Sequence, residues 1–260
     1  MASFKELLSA GRTVRVFCVG RIVHPVVFDV FGMVGGFDGC WLDQEHAGLT
    51  YDQVVLASSC ARANGFDSFV RMPLSGYWQA TQNLEAGAGG LMAARVASSQ
   101  QAEEFVRWVK FAPRGWRGLN TGGYDAQYGA LTPAQFVASS NRTSFVAIQI
   151  ETLGALEEAE QIAAIEGVDL LFVGPSDLSQ ELGILGQFDH ADLWTACQRV
   201  AAACAAHGKH WGTIAVSPPL AKRAEELGCR MLSFGMDAPV LRRGAEAIKQ
   251  TFADFFSDRR

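Results

Sequence analysis

Residues 145–183 read FVAIQIETLGALEEAEQIAAIEGVDLLFVGPSDLSQELG, in which two short apolar runs flank a longer amphipathic segment. In that segment, residues 152–166, the apolar side chains recur at the spacing of one helix face, and Gly167 follows as a helix stop. The flanking runs, 145–150 and 170–173, are continuously apolar, which is typical of strands that are covered on both faces. The stretch therefore predicts a strand, a helix and a second, parallel strand.

The same alternation extends over the whole chain of 260 residues. Eight β-rich runs are found, at residues 14–19, 39–42, 68–71, 90–96, 145–150, 170–173, 211–214 and 231–234. Further helices are predicted at residues 51–64, 192–207, 217–228 and 238–255. Eight β/α repeats in about 250 residues are typical of a (β/α)₈ barrel. The alternative is an open doubly wound sheet, but no G-x-G-x-x-G opens a helix after the first strand. We therefore predict an α/β fold, a (β/α)₈ TIM barrel that forms a single domain over residues 1–260, with an insertion at residues 111–141.

Composition excludes several classes of protein. The net charge of −5 and the pI of 5.6 argue against a nucleic-acid groove, which needs a dense basic face. A hydrophobic content of 49% suits a large buried core. The sequence has no run of about 18 uncharged apolar residues for a membrane span, and its N-terminal segment lacks the apolar core of a signal peptide. The six cysteines show no C-x-x-C spacing, so we expect free thiols in a cytoplasmic protein.

Polar side chains follow several predicted strands at the point where each strand ends. They are Asp43 and His46 after the second strand, Arg71 at the end of the third, Gln149 and Glu151 at the end of the fifth, and Gly174, Ser176 and Asp177 after the sixth. Because the chemistry of (β/α)₈ barrels takes place at the carboxyl ends of the strands, we expect these residues to meet on one rim.

Glu151 and Asp177 are the candidate metal ligands. Two carboxylates from adjacent strands, without a cysteine or histidine cluster nearby, suit a hard cation such as Mg²⁺ or Mn²⁺. There are structural alternatives for both residues. Glu151 can instead interact with the N-terminus of the following helix, and Asp177 can cap a turn.

The remaining rim residues suggest proton transfer and anion binding. His46 with Asp43 is typical of an acid–base pair, although a histidine in a loop is often structural. Arg71 suits an anion or a developing oxyanion, or else a buried ion pair with a neighbouring acid. The turn at 174–177 presents backbone N–H groups that can bind a carboxylate, although such a string is more often only a turn. None of the five lysines follows a predicted strand at this rim, so a Schiff-base mechanism is not expected.

Six segments of the chain together resemble the HpcH/HpaI aldolase family, the metal-dependent class II pyruvate aldolases. They are WLDQEHAGLTYDQV (41–54), FVRMP (69–73), GAGGLMAARV (87–96), KFAPRGWRG (110–118), QIET (149–152) and VDLLFVGPSDLSQELG (168–183). The resemblance extends from the first strand to about Asp237, and the combination of segments is more specific than any one of them.

The resemblance implies an enzyme that cleaves a 4-hydroxy-2-oxo acid to pyruvate and an aldehyde through a metal-bound pyruvate enolate. The substrates of the family include acids of the 4-hydroxy-2-oxoheptanedioate and 2-keto-3-deoxy sugar acid types. An oxaloacetate-type decarboxylase on the same site and a non-catalytic barrel that binds a dicarboxylate are the alternatives. In each case the partners are small molecules, with neither nucleic acid nor membrane.

The resemblance also implies a role for each rim residue. Glu151 and Asp177 would bind the divalent cation (Mg²⁺, Mn²⁺ or Co²⁺), Arg71 would stabilise the enolate oxygen, and His46 with Asp43 would transfer protons. Gln149 would lie next to a metal-bound water, and the turn of Gly174, Ser176 and Asp177 would receive the pyruvate carboxylate. Glu85 would reach the site of a neighbouring subunit in a homo-oligomer, usually a hexamer arranged as a trimer of dimers. Such an assembly exchanges its C-terminal helix, here within residues 238–255.

This sequence departs from the family pattern at three places that concern the substrate more than the metal. The family pattern D-G-E-H-A-P has Gln44 in place of Gly and Gly48 in place of Pro. Arg95 adds a charge after the fourth strand, and the segment 120–128, NTGGYDAQY, differs from the usual Ala- and Ser-rich version. Arg95 is expected either to bind a second carboxylate of an acidic aldehyde or to pair with a neighbouring acid.

Overall fold

A computed structural model, which describes residues 2–257, contains eight parallel strands that close into a barrel. The strands are β1 (Val14–Val19), β2 (Gly39–Asp43), β3 (Asp67–Met72), β4 (Gly90–Ala93), β5 (Phe145–Ile150), β6 (Leu170–Val173), β7 (His210–Ile214) and β8 (Met231–Met236). Each strand pairs with the next in chain order, and β8 closes the barrel on β1. The predicted (β/α)₈ barrel is confirmed, and a strand is found at each predicted run.

The helices lie outside the barrel, except for the first, which covers one end. They are α1 (Phe4–Ser9), α2 (Pro25–Val34), α3 (Tyr51–Ala63), α4 (Tyr77–Glu85), α5 (Ser99–Val109), α6 (Pro133–Thr143), α7 (Leu153–Glu157), α8 (Ala159–Ala164), α9 (Pro175–Glu181), α10 (Ala191–Ala206), α11 (Pro218–Glu226) and α12 (Asp237–Thr251). The helices predicted at 51–64, 192–207, 217–228 and 238–255 correspond to α3, α10, α11 and α12. Within residues 2–257 we find no helix with the length and apolar character of a membrane span.

The two-residue period of the strands decides which side chains enter the barrel. Side chains at mid-strand belong to the apolar cluster that fills the interior: Trp41, Phe69, Ala147 and Phe172. Their alternate neighbours pack outward against the helices: Leu42, Val70, Ile148 and Leu171. Two residues further along each strand, the inward position is polar or glycine: Asp43, Arg71, Gln149 and Gly174. The interior therefore changes from apolar to polar at its carboxyl end.

Helix α1 fills the opposite, amino end of the barrel. Phe4 is fully buried, and its ring centroid lies 5.6 Å from that of Phe69 and 5.8 Å from that of Phe145. The backbone N–H of Phe4 donates to Oδ2 of Asp67 at 2.8 Å, which attaches α1 to the start of β3. Burial raises the pKa of Asp67 to about 6, although the N–H groups of Phe4 and Ser68 act in the opposite direction.

Two elements differ from the prediction. The predicted run 90–96 ends early, at Ala93, because Arg95 has a φ of +53°, a left-handed conformation that a strand does not continue. The helix predicted at 152–166 is divided into α7 and α8 at Glu158, where φ is −100° and ψ is 18°. At this point the Glu158 carboxylate accepts the N–H of Ser99 at 2.7 Å, which connects the break to the start of α5.

The stretch 111–141 lies between α5 and β5, as expected of an insertion, but it is more regular than its composition suggests. Its second half belongs to α6, which begins at Pro133 after a capping box between Thr132 and Gln135. In its first half the buried guanidinium of Arg117 pairs with Asp125 and lies 3.1 Å from Oγ of Ser140. This ion pair attaches the loop to α6.

Candidate active site

A buried ion pair between Asp43 and Arg71 lies at the carboxyl end of the barrel. The two residues are register partners on β2 and β3, so their side chains enter the barrel next to each other. Arg71 Nε lies 3.2 Å from Asp43 Oδ1, and Nη2 lies 2.9 Å from Oδ2. The guanidinium also lies over the ring of Trp41, 4.6 Å from its centroid. The two-pronged contact and the aromatic ring together fix the orientation of the guanidinium.

Asp43 also organises the loop that carries His46, but it does not contact the imidazole as the sequence suggested. Its Oδ1 accepts the backbone N–H groups of Glu45 at 3.0 Å and His46 at 3.2 Å. The imidazole Nε2 lies 3.7 Å from Oε2 of Glu45, and the His46 side chain is 59% exposed. The Asp43 carboxylate is used by Arg71 and the backbone, so the ring is left at the mouth of the barrel beside Glu45.

Glu45 points into the protein, where its Oε2 lies 3.2 Å from Nη1 of Arg71. That oxygen is buried, and no residue in the range 2–257 donates a hydrogen bond to it. Arg71 therefore forms ion pairs with two acids, as its structural alternative proposed. A single guanidinium faces both carboxylates, which leaves it available to an anion only at the side that faces the barrel mouth.

Gln149 and Glu151 occupy the end of β5. Gln149 Nε2 donates to Glu151 Oε2 at 2.5 Å, and the buried Oε1 of Gln149 has no hydrogen-bond partner among the described residues. Glu151 is fully buried. An added Cβ on Gly174 would lie 2.5 Å from Glu151 Oε2 and 2.8 Å from Gln149 Nε2, so only glycine leaves room for these two groups at the end of β6.

Negative charge accumulates around Glu151. The pKa of Glu151 is raised to about 7, mainly by burial and also by the charges of Glu45 and Asp177, against the N–H of Arg95 and the charge of Arg71. The two candidate ligand carboxylates, Glu151 after β5 and Asp177 in the first turn of α9, and the unpartnered amide oxygen of Gln149 form an all-oxygen donor set, which fits Mg²⁺ or Mn²⁺. No cluster of three or more histidine, cysteine or acidic residues suited to a metal occurs in the described range, so such a site has few protein ligands.

Ser176 and Asp177 lie in the first turn of α9, directly after Gly174. Pro175 occupies the first helical position, and α9 has no side-chain cap. The backbone N–H groups of this turn therefore lack an intrahelical acceptor and face the same end of the barrel as Glu151. Backbone N–H groups at such a place can bind a carboxylate.

Arg95 lies on this rim and contacts both candidate metal ligands. Its backbone N–H donates to Glu151 Oε1 at 2.8 Å. Its guanidinium lies 3.7 Å from Asp177 Oδ1 and 3.6 Å from Glu181 Oε1, and its side chain is 48% exposed. The expected pairing with a neighbouring acid is therefore present.

Glu85 is not at the rim of its own chain. It is the last residue of α4, which starts near the rim after β3 and extends for about 13 Å along the outside of the barrel. Its Oε2 accepts the amide N–H of Asn120 at 3.1 Å, which joins α4 to the insertion. A role for Glu85 in this chemistry therefore requires the rim of another copy of the chain.

Two polar residues, Asp237 and Gln44, have structural roles at the rim that the sequence did not predict. Oδ2 of Asp237 accepts the N–H groups of Gly20, Arg21 and Ile22 at 3.0, 2.8 and 2.7 Å, which fixes the loop after β1. Gln44 accepts from Asn83 at 2.8 Å and donates to the carbonyl of Leu49 at 3.0 Å. Asp237 comes directly after β8, so its place at a strand end is the signal that could have identified it, as for Asp43.

Lys110 lies away from the rim, at the amino end of the barrel, and the cysteines are free thiols. Burial lowers the pKa of Lys110 to about 8, but its ammonium donates to the carbonyls of Asn141 and Ser144, next to the start of β5. All six cysteines are free, and five of them are buried. Burial raises the pKa of thiols such as Cys197 and Cys229 to about 12, so they are protonated at neutral pH.

Comparison with known proteins gives consistent relatives over nearly the whole chain. The model of the HpcH/HpaI aldolase/citrate lyase family matches residues 24–243. The chain is 31% identical to a 5-keto-4-deoxy-D-glucarate aldolase of Shigella boydii serotype 18, over 96% of this chain and 95% of that protein. The crystal structure of an HpcH/HpaI aldolase from Desulfitobacterium hafniense DCB-2 is similar at a TM-score of 0.88 and 30% identity, covering 96% of this chain and 97% of that one. An HpcH/HpaI aldolase/citrate lyase family protein of Burkholderia cenocepacia J2315 gives a TM-score of 0.86 at 28% identity, over 95% of this chain and 98% of that one.

Proposed function

Because the chain belongs to the HpcH/HpaI aldolase/citrate lyase family, we propose that it is a divalent-metal-dependent aldolase. The reaction is the cleavage of a 4-hydroxy-2-oxo acid to pyruvate and an aldehyde. One observation carries the proposal: the buried carboxylate of Glu151 lies at the carboxyl end of the barrel, within range of the charges of Glu45, Asp177 and the guanidinium of Arg71. This arrangement suits a cation and an oxyanion at adjacent positions.

Glu151 and Asp177 are the proposed ligands of the cation, which is Mg²⁺, Mn²⁺ or Co²⁺. When bound, such an ion polarises the 2-oxo group and so favours electron flow toward the carbonyl oxygen. Gln149 supports the arrangement because its amide N–H already orients the Glu151 carboxylate. Gly174 keeps the space beside that carboxylate free.

Residues of the protein bind the substrate carboxylate, stabilise the enolate and transfer the protons. The N–H groups of Ser176 and Asp177 bind the carboxylate of the 2-oxo acid. A base takes the proton of the 4-hydroxyl, the C3–C4 electron pair moves to the C2 carbonyl, and an aldehyde leaves. Arg71 stabilises the negative oxygen of the enolate, and protonation at C3 gives pyruvate. His46, exposed at the mouth and held through Asp43, transfers these protons, with Glu45 as the carboxylate beside its ring.

The direct test is aldehyde release from a panel of 4-hydroxy-2-oxo acids, with and without EDTA. We expect release with Mg²⁺ or Mn²⁺, its loss in EDTA and its recovery when the metal is added back. Pyruvate formation from oxaloacetate is measured in parallel, since decarboxylation passes through the same enolate. Full aldehyde release in chelator would overturn the metal assignment, and binding of pyruvate without any turnover would indicate a binding protein.

The proposed assembly is a homo-oligomer, a hexamer arranged as a trimer of dimers, in which α12 packs on a second copy. Within one chain α12 leaves its apolar side chains uncovered, with Leu241 65% and Ile248 60% exposed. A groove of about 310 Å³ between α12 and α2 is almost entirely apolar and is lined by side chains such as Val26, Val30 and Val240. Such an exposed apolar surface is typical of a subunit interface. In this assembly Glu85 of one copy reaches the rim of another.

We further propose that the protein functions in the cytoplasm. The six free cysteines suit a reducing compartment, since five of them are buried among apolar side chains without a bridge. The measurement is the cellular location of the tagged full-length chain.

A further inference from the structure

Arg95 lies on the rim and contacts both proposed metal ligands. It holds Glu151 through its backbone N–H, and it lies beside Asp177 through its guanidinium, 3.7 Å from Oδ1. Its φ of +53° turns the chain away from β4, so that the side chain extends across the rim toward α9. On α9 the residues at 177 and 181 are one turn apart, and the guanidinium lies between their carboxylates.

A cation at Asp177 changes the surroundings of this guanidinium. The cation and the guanidinium would then share one carboxylate within about 4 Å, where two positive charges repel each other. Arginine cannot relieve this repulsion by losing its proton. The side chain can move instead, because it is 48% exposed and its contacts of 3.6 and 3.7 Å are too long for well-formed hydrogen bonds.

Glu181 keeps the guanidinium on the rim when it leaves Asp177. The contact with Glu181 Oε1, at 3.6 Å, does not involve a proposed metal ligand. The displaced guanidinium therefore remains at the barrel mouth with free N–H donors. A carboxylate on the far end of a bound ligand offers two acceptor oxygens that match this planar group.

We infer that Arg95 couples the cation to a second carboxylate of the ligand. This inference rests on the proposed function. It gives the Arg95 side chain two effects: it competes with the cation for Asp177, and it favours a ligand that carries a second carboxylate. Arg95 weakens binding of the divalent cation alone, because it competes for Asp177. A ligand with a distal carboxylate binds the guanidinium in place of Asp177 and so restores the affinity for the cation. Cation and acidic ligand therefore bind with positive cooperativity.

The test measures binding of Mn²⁺ to the full-length protein by the loss of the electron paramagnetic resonance signal of the free ion. Arg95→Met removes the charge and keeps an unbranched side chain at the strained backbone position. Arg95→Lys keeps the charge, and Arg107→Met removes an arginine from an ion pair with Glu103 on the outer helix α5. We expect Arg95→Met to bind Mn²⁺ about two- to fivefold more tightly than the wild type, the range of an exposed ion pair. We expect Arg95→Lys and Arg107→Met to bind like the wild type.

The second arm compares two ligands of the same chain length, 2-oxoglutarate and 2-oxopentanoate, of which only the first has a distal carboxylate. In the wild type, 2-oxoglutarate should tighten Mn²⁺ binding at least about fivefold more than 2-oxopentanoate does. In Arg95→Met the two ligands should have equal effects. Equal effects in the wild type, or a preference that survives in Arg95→Met, would overturn the inference.

A third variant separates failure of this inference from failure of the proposed cation site. Asp177→Asn removes one proposed ligand, so it should lose most of its Mn²⁺ affinity. Unchanged affinity in Asp177→Asn would overturn the cation site itself. Lost affinity in Asp177→Asn combined with unchanged affinity in Arg95→Met would leave the site in place and refute the role of Arg95. A gain in Arg95→Lys as large as that in Arg95→Met would also refute it, since the effect would then not depend on charge.

Discussion

The guanidinium of Arg71 and the carboxylate of Asp43 form a two-pronged pair at the open end of the barrel, with N–O distances of 3.2 and 2.9 Å. Both side chains are almost completely buried, with 6% and 1% exposed. The same guanidinium also faces Glu45. One positive charge thus balances two negative charges away from solvent. Arg71 therefore contributes both to the stability of the fold and to the proposed chemistry.

Arg71→Ala should therefore lose both activity and stability. Two buried acids would be left without a partner, and breaking a buried pair costs about 3–5 kcal/mol. Arg71→Lys keeps the charge but not the two-pronged geometry, so it should retain most of the stability and still lose turnover. Urea unfolding and aldehyde release measure the two effects. Wild-type turnover in the Lys variant would contradict a role for the guanidinium in stabilising the oxyanion.

Gly174→Ala should abolish metal binding while the barrel stays folded. The added methyl group would lie 2.5 Å from Glu151 Oε2, so the carboxylate has to move. The matched control is Gly118→Ala, because a Cβ at Gly118 meets no atom within 4 Å. The measurement is the Mn²⁺ affinity of both variants, obtained by titration. Tight Mn²⁺ binding by Gly174→Ala would show that Glu151 is not a ligand in this position.

The stability of the protein should depend on the protonation of Asp67 at the closed end of the barrel. Its pKa is raised from 3.8 to about 6 in the folded state, mainly by burial. A raised carboxyl pKa means that the folded state retains the proton more strongly than the unfolded state. The stabilisation of the folded state by the protonated Asp67 carboxyl is therefore fully present below about pH 4. It is lost as the pH rises through about 6. A carboxyl pKa raised from 3.8 to about 6 corresponds to about 3 kcal/mol.

The measurement is the free energy of unfolding of the wild type and of Asp67→Asn between pH 4 and pH 7. The difference between the two proteins should change by about 3 kcal/mol over this range in favour of the variant at the higher pH. The variant also loses one acceptor for the N–H groups of Phe4 and Ser68, which is a constant cost that does not change with pH. A difference that stays constant with pH would show that Asp67 does not titrate in this range.

Leu241→Asp should reduce the mass of the particle in solution. Leu241 is 65% exposed on α12 and lines the apolar groove next to α2, so a second copy packed there would bury the new charge. Leu241→Met keeps the apolar surface and should assemble like the wild type. Light scattering after gel filtration gives the mass. An unchanged oligomer in Leu241→Asp would place the subunit interface elsewhere.

Part of the candidate site could be predicted because strand ends are visible in the sequence. Asp43, Arg71, Gln149, Glu151 and Asp177 each follow a short apolar run, and the carboxyl ends of all parallel strands lie at one end of a barrel. The partners of each side chain could not be predicted in this way. Asp43 contacts Arg71 and two backbone N–H groups instead of the His46 imidazole, because register and loop geometry decide which group is within reach.

The sequence by itself predicted the barrel, because eight apolar runs separated by helical segments, with no G-x-G-x-x-G after the first strand, favour a closed sheet covered by helices. It also determined which residue types occur at the strand ends. Only the tertiary structure decided that α7 and α8 are separate, that the strand before Arg95 ends at Ala93, and that Glu85 lies away from the rim of its own chain. These features depend on contacts between residues far apart in the chain, such as Glu158 with Ser99 and Glu85 with Asn120, which local pattern does not encode.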